Sequence, residues 1–137
     1  MNYWLIKSEP NEFSWQDLVK EGKSVWTGIR NYRARNNLKL MRIGDLAFFY
    51  HSNIGKEIVG IAKVTREYYQ DPTTKEPAWV VADFVPVKPL NKSVSLGQVK
   101  SDKRFVDMEL VKWSRLSVSA VKRAEWDLIL KLAETKL

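Results

Sequence analysis

Residues 45–64 constrain the fold more than any other part of the chain. They form two apolar runs, DLAFFYHS and EIVGIAKV, separated by NIGK, a glycine-containing loop of hairpin length. The first run alternates between two sets of side chains that are both mainly apolar: Leu46, Phe48 and Tyr50 on one face, and Ala47, Phe49 and His51 on the other. A strand with two apolar faces lies inside a sheet that is covered on both sides. We therefore predict a central hairpin with packing layers above and below it.

The remaining elements complete an α+β pattern. Apolar alternation predicts further strands at 3–7, 79–90 and 115–121, and helical periodicity with capping signals predicts helices at 14–22, 32–41 and 122–136. The segment 93–102 reads as a short helix or turn, and Pro86 and Pro89 place the end of the strand at 79–90 at a sheet edge. These elements predict one domain, residues 1–137, with a mixed and largely antiparallel sheet that curls into a barrel flanked by helices.

Charge and composition narrow the function classes. The chain carries a net charge of +7 and has no cysteine, which excludes disulfides and thiolate metal sites and suits a polyanionic partner. Positive charge is concentrated between Arg30 and Arg42, where Arg35, Lys39 and Arg42 recur at helical spacing along one edge. The sequence shows no apolar run of membrane-spanning length and no secretory signal. We expect a cytoplasmic protein that does not bind membranes.

Catalytic motifs are sparse, and two features remain as candidates for a site: the polar KSEP segment and Trp26. The only histidine is His51, and no glycine-rich phosphate loop is present. KSEP, residues 7–10, follows a strand and is either a solvated turn or part of a site. Five of the six tryptophans lie in apolar patterns that indicate packing: Trp4, Trp15, Trp79, Trp113 and Trp126. Trp26 differs because polar residues follow it, so it is either a core residue or a pocket wall.

Four segments together carry a family resemblance: YWLIKSEP, VWTGIRNYRARNNLKLMRIGDLAFFYHSN, IVGIAKV and RLSVSAV. In this order they resemble an EVE domain, and the similarity extends from Tyr3 to the last helix. The resemblance implies a PUA-like fold with a curled sheet of five or six strands, related to YTH and ASCH domains. It also implies a nucleic-acid-binding module, without catalysis and without a cofactor or metal. Such a module accommodates a modified base, chiefly a modified cytosine such as 5-methyl- or 5-hydroxymethylcytosine in DNA, or a modified base in RNA, in an aromatic-walled pocket.

The resemblance also implies site residues. Matching positions place the base pocket at Lys7, Ser8, Glu9, Trp26, Thr27, Tyr50, His51, Ser52 and either Tyr68 or Tyr69 as the second aromatic wall. Positions that would brace the pocket loop or contact the nucleic-acid backbone are Arg30, Asn31, Arg33, Arg35, Asn36 and Lys39.

Two alternatives remain open from the sequence. Related ASCH domains include amidohydrolases that act on modified pyrimidine nucleosides with a Lys, a Thr and a Glu, which here would be Lys7, Thr27 and Glu9. A small-molecule or protein-interaction module is the other alternative, and the basic helix edge would then be incidental. The oligomeric state is open.

Overall fold

The computed structural model describes residues Met1–Leu137 and contains six strands and five α-helices. In chain order these are β1 (Tyr3–Ser8), α1 (Trp15–Glu21), β2 (Ser24–Val25), α2 (Tyr32–Leu40), β3 (Leu46–His51), β4 (Glu57–Gln70), β5 (Val80–Ser95), α3 (Leu96–Lys100), α4 (Glu109–Lys112), β6 (Val118–Val121) and α5 (Arg123–Leu132), with a short 3₁₀ turn at Lys103–Phe105 before α4. No helix among them is both long enough and apolar enough to cross a membrane.

All six strands join one mixed sheet in the order β2-β5-β4-β3-β1-β6. Only β1 and β3 run parallel, with Trp4 opposite Ala47, and the other neighbours are antiparallel. The predicted α+β class and mixed sheet are confirmed. The barrel is not closed, because the end strands β2 and β6 have two and four residues and each pairs with one neighbour only.

Both faces of the sheet are covered, as the alternation in β3 predicts. Ala47 and Phe49 belong to a core on the side of α1 and α2, whereas Phe48 and Tyr50 belong to a second core that includes residues of α3, α4 and α5. In the second core Phe48 stacks on Trp126 with ring centres 3.9 Å apart. Burying apolar side chains of this size stabilises a fold by roughly 1.5–3 kcal/mol each.

The capping signals in the sequence define α1. Ser14 accepts a hydrogen bond from the Asp17 backbone N–H at 3.1 Å, and the Asp17 carboxylate accepts one from the Ser14 N–H at 2.9 Å. Gly22 ends the helix with φ of 77°, a left-handed conformation that favours glycine. At the start of α2, Asn31 accepts from the Ala34 N–H at 3.0 Å.

Strands β4 and β5 are both longer than predicted. β4 continues beyond residue 64 to Gln70, and β5 continues beyond residue 90 and ends at Ser95, inside the segment that was predicted to be a short helix or turn. Pro86 and Pro89 therefore lie within β5, opposite Ala62 and Gly60. They are tolerated because β2 pairs only with Asp83 and Phe84, which leaves the outer edge of β5 free beyond that point.

Two of the five tryptophans assigned to packing are not in the core. Trp113 is 38% exposed in the loop after α4, with the guanidinium of Arg33 3.6 Å from its ring centre. Trp79 precedes β5 and is half-buried, with its ring centre 5.1 Å from that of Tyr32. Both lie just outside regular elements, where an apolar pattern does not require burial.

Candidate functional site

A cavity of about 840 Å³ opens at the carboxyl ends of β1 and β3. Because these two strands are parallel, their ends lie at the same edge of the sheet. The lining side chains come from five segments, which are residues 7–13, 24–29, 50–56, 96–100 and 114–117. The predicted pocket residues in this lining are Lys7, Ser8, Glu9, Trp26, Thr27, Tyr50 and Ser52.

Lys7 connects the end of β1 to the loop before β6. Its ammonium donates a hydrogen bond to the Ser114 carbonyl at 2.8 Å, and its backbone N–H donates to the Ser117 carbonyl at 3.0 Å. The ammonium also lies 5.6 Å from the ring centre of Tyr50. Burial lowers the pKa of Lys7. A partly desolvated cation with hydrogen-bonding capacity thus forms one wall of the cavity.

The KSEP segment is a fixed turn rather than a solvated one. The Ser8 hydroxyl donates to the Phe13 carbonyl at 2.5 Å, and the Ser52 N–H donates to the Ser8 carbonyl at 2.9 Å. The Glu9 carboxylate accepts a hydrogen bond from the side-chain amide of Asn53. These contacts hold the turn against the end of β3, so that its polar groups line the cavity in a defined arrangement.

Trp26 belongs both to the core and to the cavity. It is only 7% exposed, and its ring packs edge-to-face on Phe49 and Phe84 at 5.7 and 5.6 Å between ring centres. The ring centre of Phe13 lies 6.4 Å from that of Trp26, and Phe13 also lines the cavity. The backbone N–H of Trp26 donates to the Ala82 carbonyl at 3.0 Å, which holds the residue over the sheet. Trp26 therefore combines the two roles that the sequence left open, because it packs in the core and also lines the cavity.

Three predicted pocket residues do not line the cavity. His51 Nε2 accepts the backbone N–H of Trp15 at 3.0 Å, and so serves the start of α1. Tyr69 donates its hydroxyl to Asp83 at 2.5 Å, and the Arg66 guanidinium lies 3.6 Å from its ring centre.

Tyr68, the alternative second wall, is 45% exposed and lies beside Lys39. The aromatic rings that do line the cavity with Trp26 are Phe13 and Tyr50. Phe13 could have been found from its position three residues after the KSEP turn.

The predicted backbone-contact residues of α2 and the preceding loop lie outside the cavity. Several of them brace neighbouring segments: Arg30 pairs with Asp71 at 3.0 Å, Arg33 with Glu109 at 3.7 Å, Asn31 caps α2, and Arg35 bonds the side chain of Asn36. Lys39 is exposed beside Tyr68.

Asp71 is a site-supporting residue that the sequence reasoning missed. One carboxylate oxygen accepts from the Gly28 N–H and the Arg30 guanidinium, both at 3.0 Å, and the other accepts from the Thr73 N–H and hydroxyl at 2.8 and 2.6 Å. Burial of this fully enclosed side chain would raise the pKa of Asp71, but the hydrogen bonds from Thr73, Gly28 and Arg30 outweigh burial and lower the pKa to about 2. Asp71 thereby fixes the loop that carries Thr27, in which Gly28 has φ of 78°.

The mouth of the cavity is cationic. Its lining contains Lys7, Lys56, Lys100 and Arg115 against the two acids Glu9 and Glu12. The side chains of Lys56, Lys100 and Arg115 belong to exposed residues and take part in none of the ion pairs of the structure, unlike Arg30 and Arg33. The sequence did not reveal this set, because its members lie on three separate segments.

The hydrogen bonds of the cavity bear on the amidohydrolase alternative. Lys7, Glu9 and Thr27 all line the cavity. Lys7, however, bonds the Ser114 carbonyl and Glu9 bonds Asn53, and no hydrogen bond joins any two of the three residues. An activated hydroxyl needs a base within hydrogen-bond reach. The structure therefore contains no preformed pair of hydroxyl and base among these three residues.

Comparison with known proteins adds a family and several relatives. A family model described as EVE domain matches residues 2–132. Mouse thymocyte nuclear protein 1 is 36% identical over an alignment that covers 98% of this chain and 75% of the mouse protein. An NMR structure of a Rhodopseudomonas palustris protein is 48% identical with a TM-score of 0.93, and covers 98% of this chain and 94% of its own.

Two further structures bear on function and on fold. Human THYN1 in complex with 5-methylcytosine-containing DNA is 32% identical with a TM-score of 0.91, and the match covers 100% of both chains. An ASCH protein from Zymomonas mobilis, at 13% identity and a TM-score of 0.61 over 96% of this chain and 95% of its own, shares the fold alone.

Proposed function

Since the chain belongs to the EVE domain family, we propose that it binds DNA containing a modified cytosine and takes that base into the cavity at the ends of β1 and β3. The observation that carries the proposal is the similarity, along the whole of this chain, to the crystallised part of human THYN1, whose structure contains 5-methylcytosine DNA. The cavity of this chain supports the proposal independently, because it combines aromatic and polar lining with a cationic mouth.

The cavity can offset the cost of removing a base from a duplex. Flipping a base costs a few kcal/mol, and stacking on an aromatic ring returns about 1–3 kcal/mol. Phe13, Trp26 and Tyr50 provide apolar surface, and Lys7 and Thr27 provide groups that can bond the polar edge of the base. A methyl group buries little area and contributes only about 1 kcal/mol. We therefore expect modest discrimination between cytosine and 5-methylcytosine, about fivefold.

The free cations at the mouth provide the phosphate contacts of this proposal. Lys56, Lys100 and Arg115 surround the entrance without ion-pair partners. The DNA backbone on either side of a flipped base would lie against them. Each phosphate contact contributes about one unit to the slope of log affinity against log salt concentration.

A binding panel tests the proposal. Affinities would be measured for cytosine, 5-methylcytosine, 5-hydroxymethylcytosine and N6-methyladenine in single- and double-stranded DNA, and for matched RNA. We expect DNA with a modified cytosine to bind most tightly, and equal affinities across the panel would contradict base recognition. Incubation with an acylated cytidine belongs in the same panel, because turnover that disappears in Lys7→Ala would favour the amidohydrolase alternative.

Two variants test which residues contact the base and which contact the phosphates. Lys7→Met keeps the aliphatic stem and removes the cation, so it should weaken binding of the modified base while Lys20→Met, on the exposed end of α1, does not. The double variant Lys100→Gln and Arg115→Gln should lower the salt slope by about 2, with Lys20→Gln as the matched control. An unchanged slope would remove these residues from the phosphate contacts. Trp26→Phe is preferable to Trp26→Ala, because truncating a buried tryptophan costs about 3–5 kcal/mol of stability.

A further inference from the structure

Outside the cavity, four side chains form what we call the arginine–aromatic platform, which consists of Arg30, Tyr32, Arg35 and Trp79. The ring centres of Tyr32 and Trp79 are 5.1 Å apart, with an angle of 37° between the planes. The guanidinium carbon of Arg30 lies 5.6 Å from the Trp79 ring centre, and that of Arg35 lies 4.9 Å from the Tyr32 ring centre. Two aromatic rings and two permanent cations thus share one surface.

The platform is held in place and remains accessible. Arg30 is fixed by the buried Asp71 carboxylate, and Arg35 donates to the Ala78 carbonyl at 3.4 Å. Tyr32 is nevertheless 63% exposed, which makes it the most exposed aromatic residue of the chain. Its contacts with Trp79 and Arg35 leave most of the Tyr32 side chain open to solvent. The exposed ring is therefore available to an aromatic ligand.

One cation of the platform has no ion-pair partner. Arg30 is paired with Asp71, and Glu76 accepts the indole N–H of Trp79 at 3.1 Å, whereas Arg35 takes part in none of the ion pairs. The first turn of α2, which begins at Tyr32, contains no acid. The positive end of the helix dipole therefore adds to the unpaired guanidinium of Arg35. Aromatic rings beside arginines are the combination that binds an unpaired nucleobase and its phosphate.

The platform adjoins the cavity along the chain. In the loop between β2 and α2, Thr27 and Ile29 line the cavity, and Arg30 belongs to the platform. We propose that the platform binds an unpaired nucleotide of the same DNA strand whose modified base occupies the cavity, with the base stacked on Tyr32 and Trp79 and the phosphate held by Arg30 and Arg35. This inference rests on the proposed function and extends it to a second contact that favours single-stranded DNA over a fully paired duplex.

The test uses single-stranded and blunt duplex oligonucleotides with one 5-methylcytosine, together with an unmodified single strand. Tyr32→Ala and Trp79→Leu should each weaken single-strand binding by about 5- to 150-fold, the range that one stacked base contributes, and should affect the blunt duplex less. Tyr32→Trp should restore binding. Leu40→Ala is the matched control, because Leu40 is 57% exposed on the same helix and lies outside the platform. A 2-aminopurine beside the modified base should lose fluorescence on binding wild type but not Tyr32→Ala.

Each outcome bears on the platform. Unchanged single-strand affinity in both aromatic variants, at unchanged melting temperature, overturns the platform and leaves the proposed function standing. Equal losses on single strand and duplex overturn the stacking of an unpaired base. Wild-type protein that binds no single strand also overturns it. If wild type binds single strands without preferring the modified base, the proposed function fails, while the variants still test the platform on the unmodified strand.

Discussion

Replacing Asp71 by Asn tests whether one buried carboxylate holds the loop that borders the cavity. The four donors are divided between the two oxygens, Gly28 and Arg30 at one and Thr73 at the other. An amide keeps a single oxygen, so one set of donors must face an NH₂ group. The pKa of Asp71 falls from 3.8 to about 2, which means that folding favours the ionised form by about 2 kcal/mol. We expect Asp71→Asn to lower the free energy of unfolding by about 2–3 kcal/mol at pH 7.

The sign of the pH dependence follows from the lowered pKa. A carboxylate whose pKa is lower in the folded state contributes its full stability above about pH 4 and loses it as the pH falls toward 2. The difference between wild type and variant should therefore shrink over that range. Urea unfolding followed by tryptophan fluorescence at pH 7 and pH 3 measures it. Asp107→Asn, on an exposed residue, is the control. A variant within about 0.5 kcal/mol of wild type at pH 7 would refute the reasoning.

Three further predictions concern stability. Gly60→Ala would place a Cβ atom 2.6 Å from the Trp15 ring, so we expect thermal unfolding to show a loss of about 1–3 kcal/mol; an unchanged melting temperature would contradict this close packing. Asp45→Ala removes the acceptor that lies 3.1 Å from the buried Trp4 indole N–H and should cost about 1–3 kcal/mol in urea unfolding. Burial lowers the pKa of His51 against a smaller opposing effect of Glu57, so its contribution to stability should be lost as the pH falls below 6.5. This dependence of stability on pH should disappear in His51→Phe. If it persists in the variant, another titrating group causes it.

The sequence predicted those features that depend on local pattern. The alternation in β3 gives both of its buried faces, and the Ser14–Asp17 capping pair with Gly22 gives the limits of α1. The continuation of β4 and β5 was missed, because the ends of these strands are partly exposed and carry polar residues and prolines. Strand pairing stabilises such segments in a way that periodicity does not report.

The part of the candidate site that could be predicted consists of residues that follow one another in the chain or match the family pattern. Lys7, Ser8 and Glu9 form one turn, and the resemblance placed them together with Trp26. The contact of Asp71 with Gly28 joins residues 43 positions apart, and the pairing of Asp71 is not visible from the Asp-Pro-Thr turn that contains it. The exposure of Tyr32 and the burial of Trp26 were likewise set by neighbours from distant segments.

The bond between the Lys7 ammonium and the Ser114 carbonyl spans 107 residues. One side of the cavity is thus built from the end of β1, and another from the loop that precedes β6. Bringing residues so far apart in the chain together carries a cost in loop-closure entropy, which the packing of the sheet between them must offset. A nascent or truncated chain that ends before the loop at 114–117 would lack this wall. Fragments that end before residue 114 should therefore lack the binding of the modified base that we propose, even where they retain β1 and the KSEP turn.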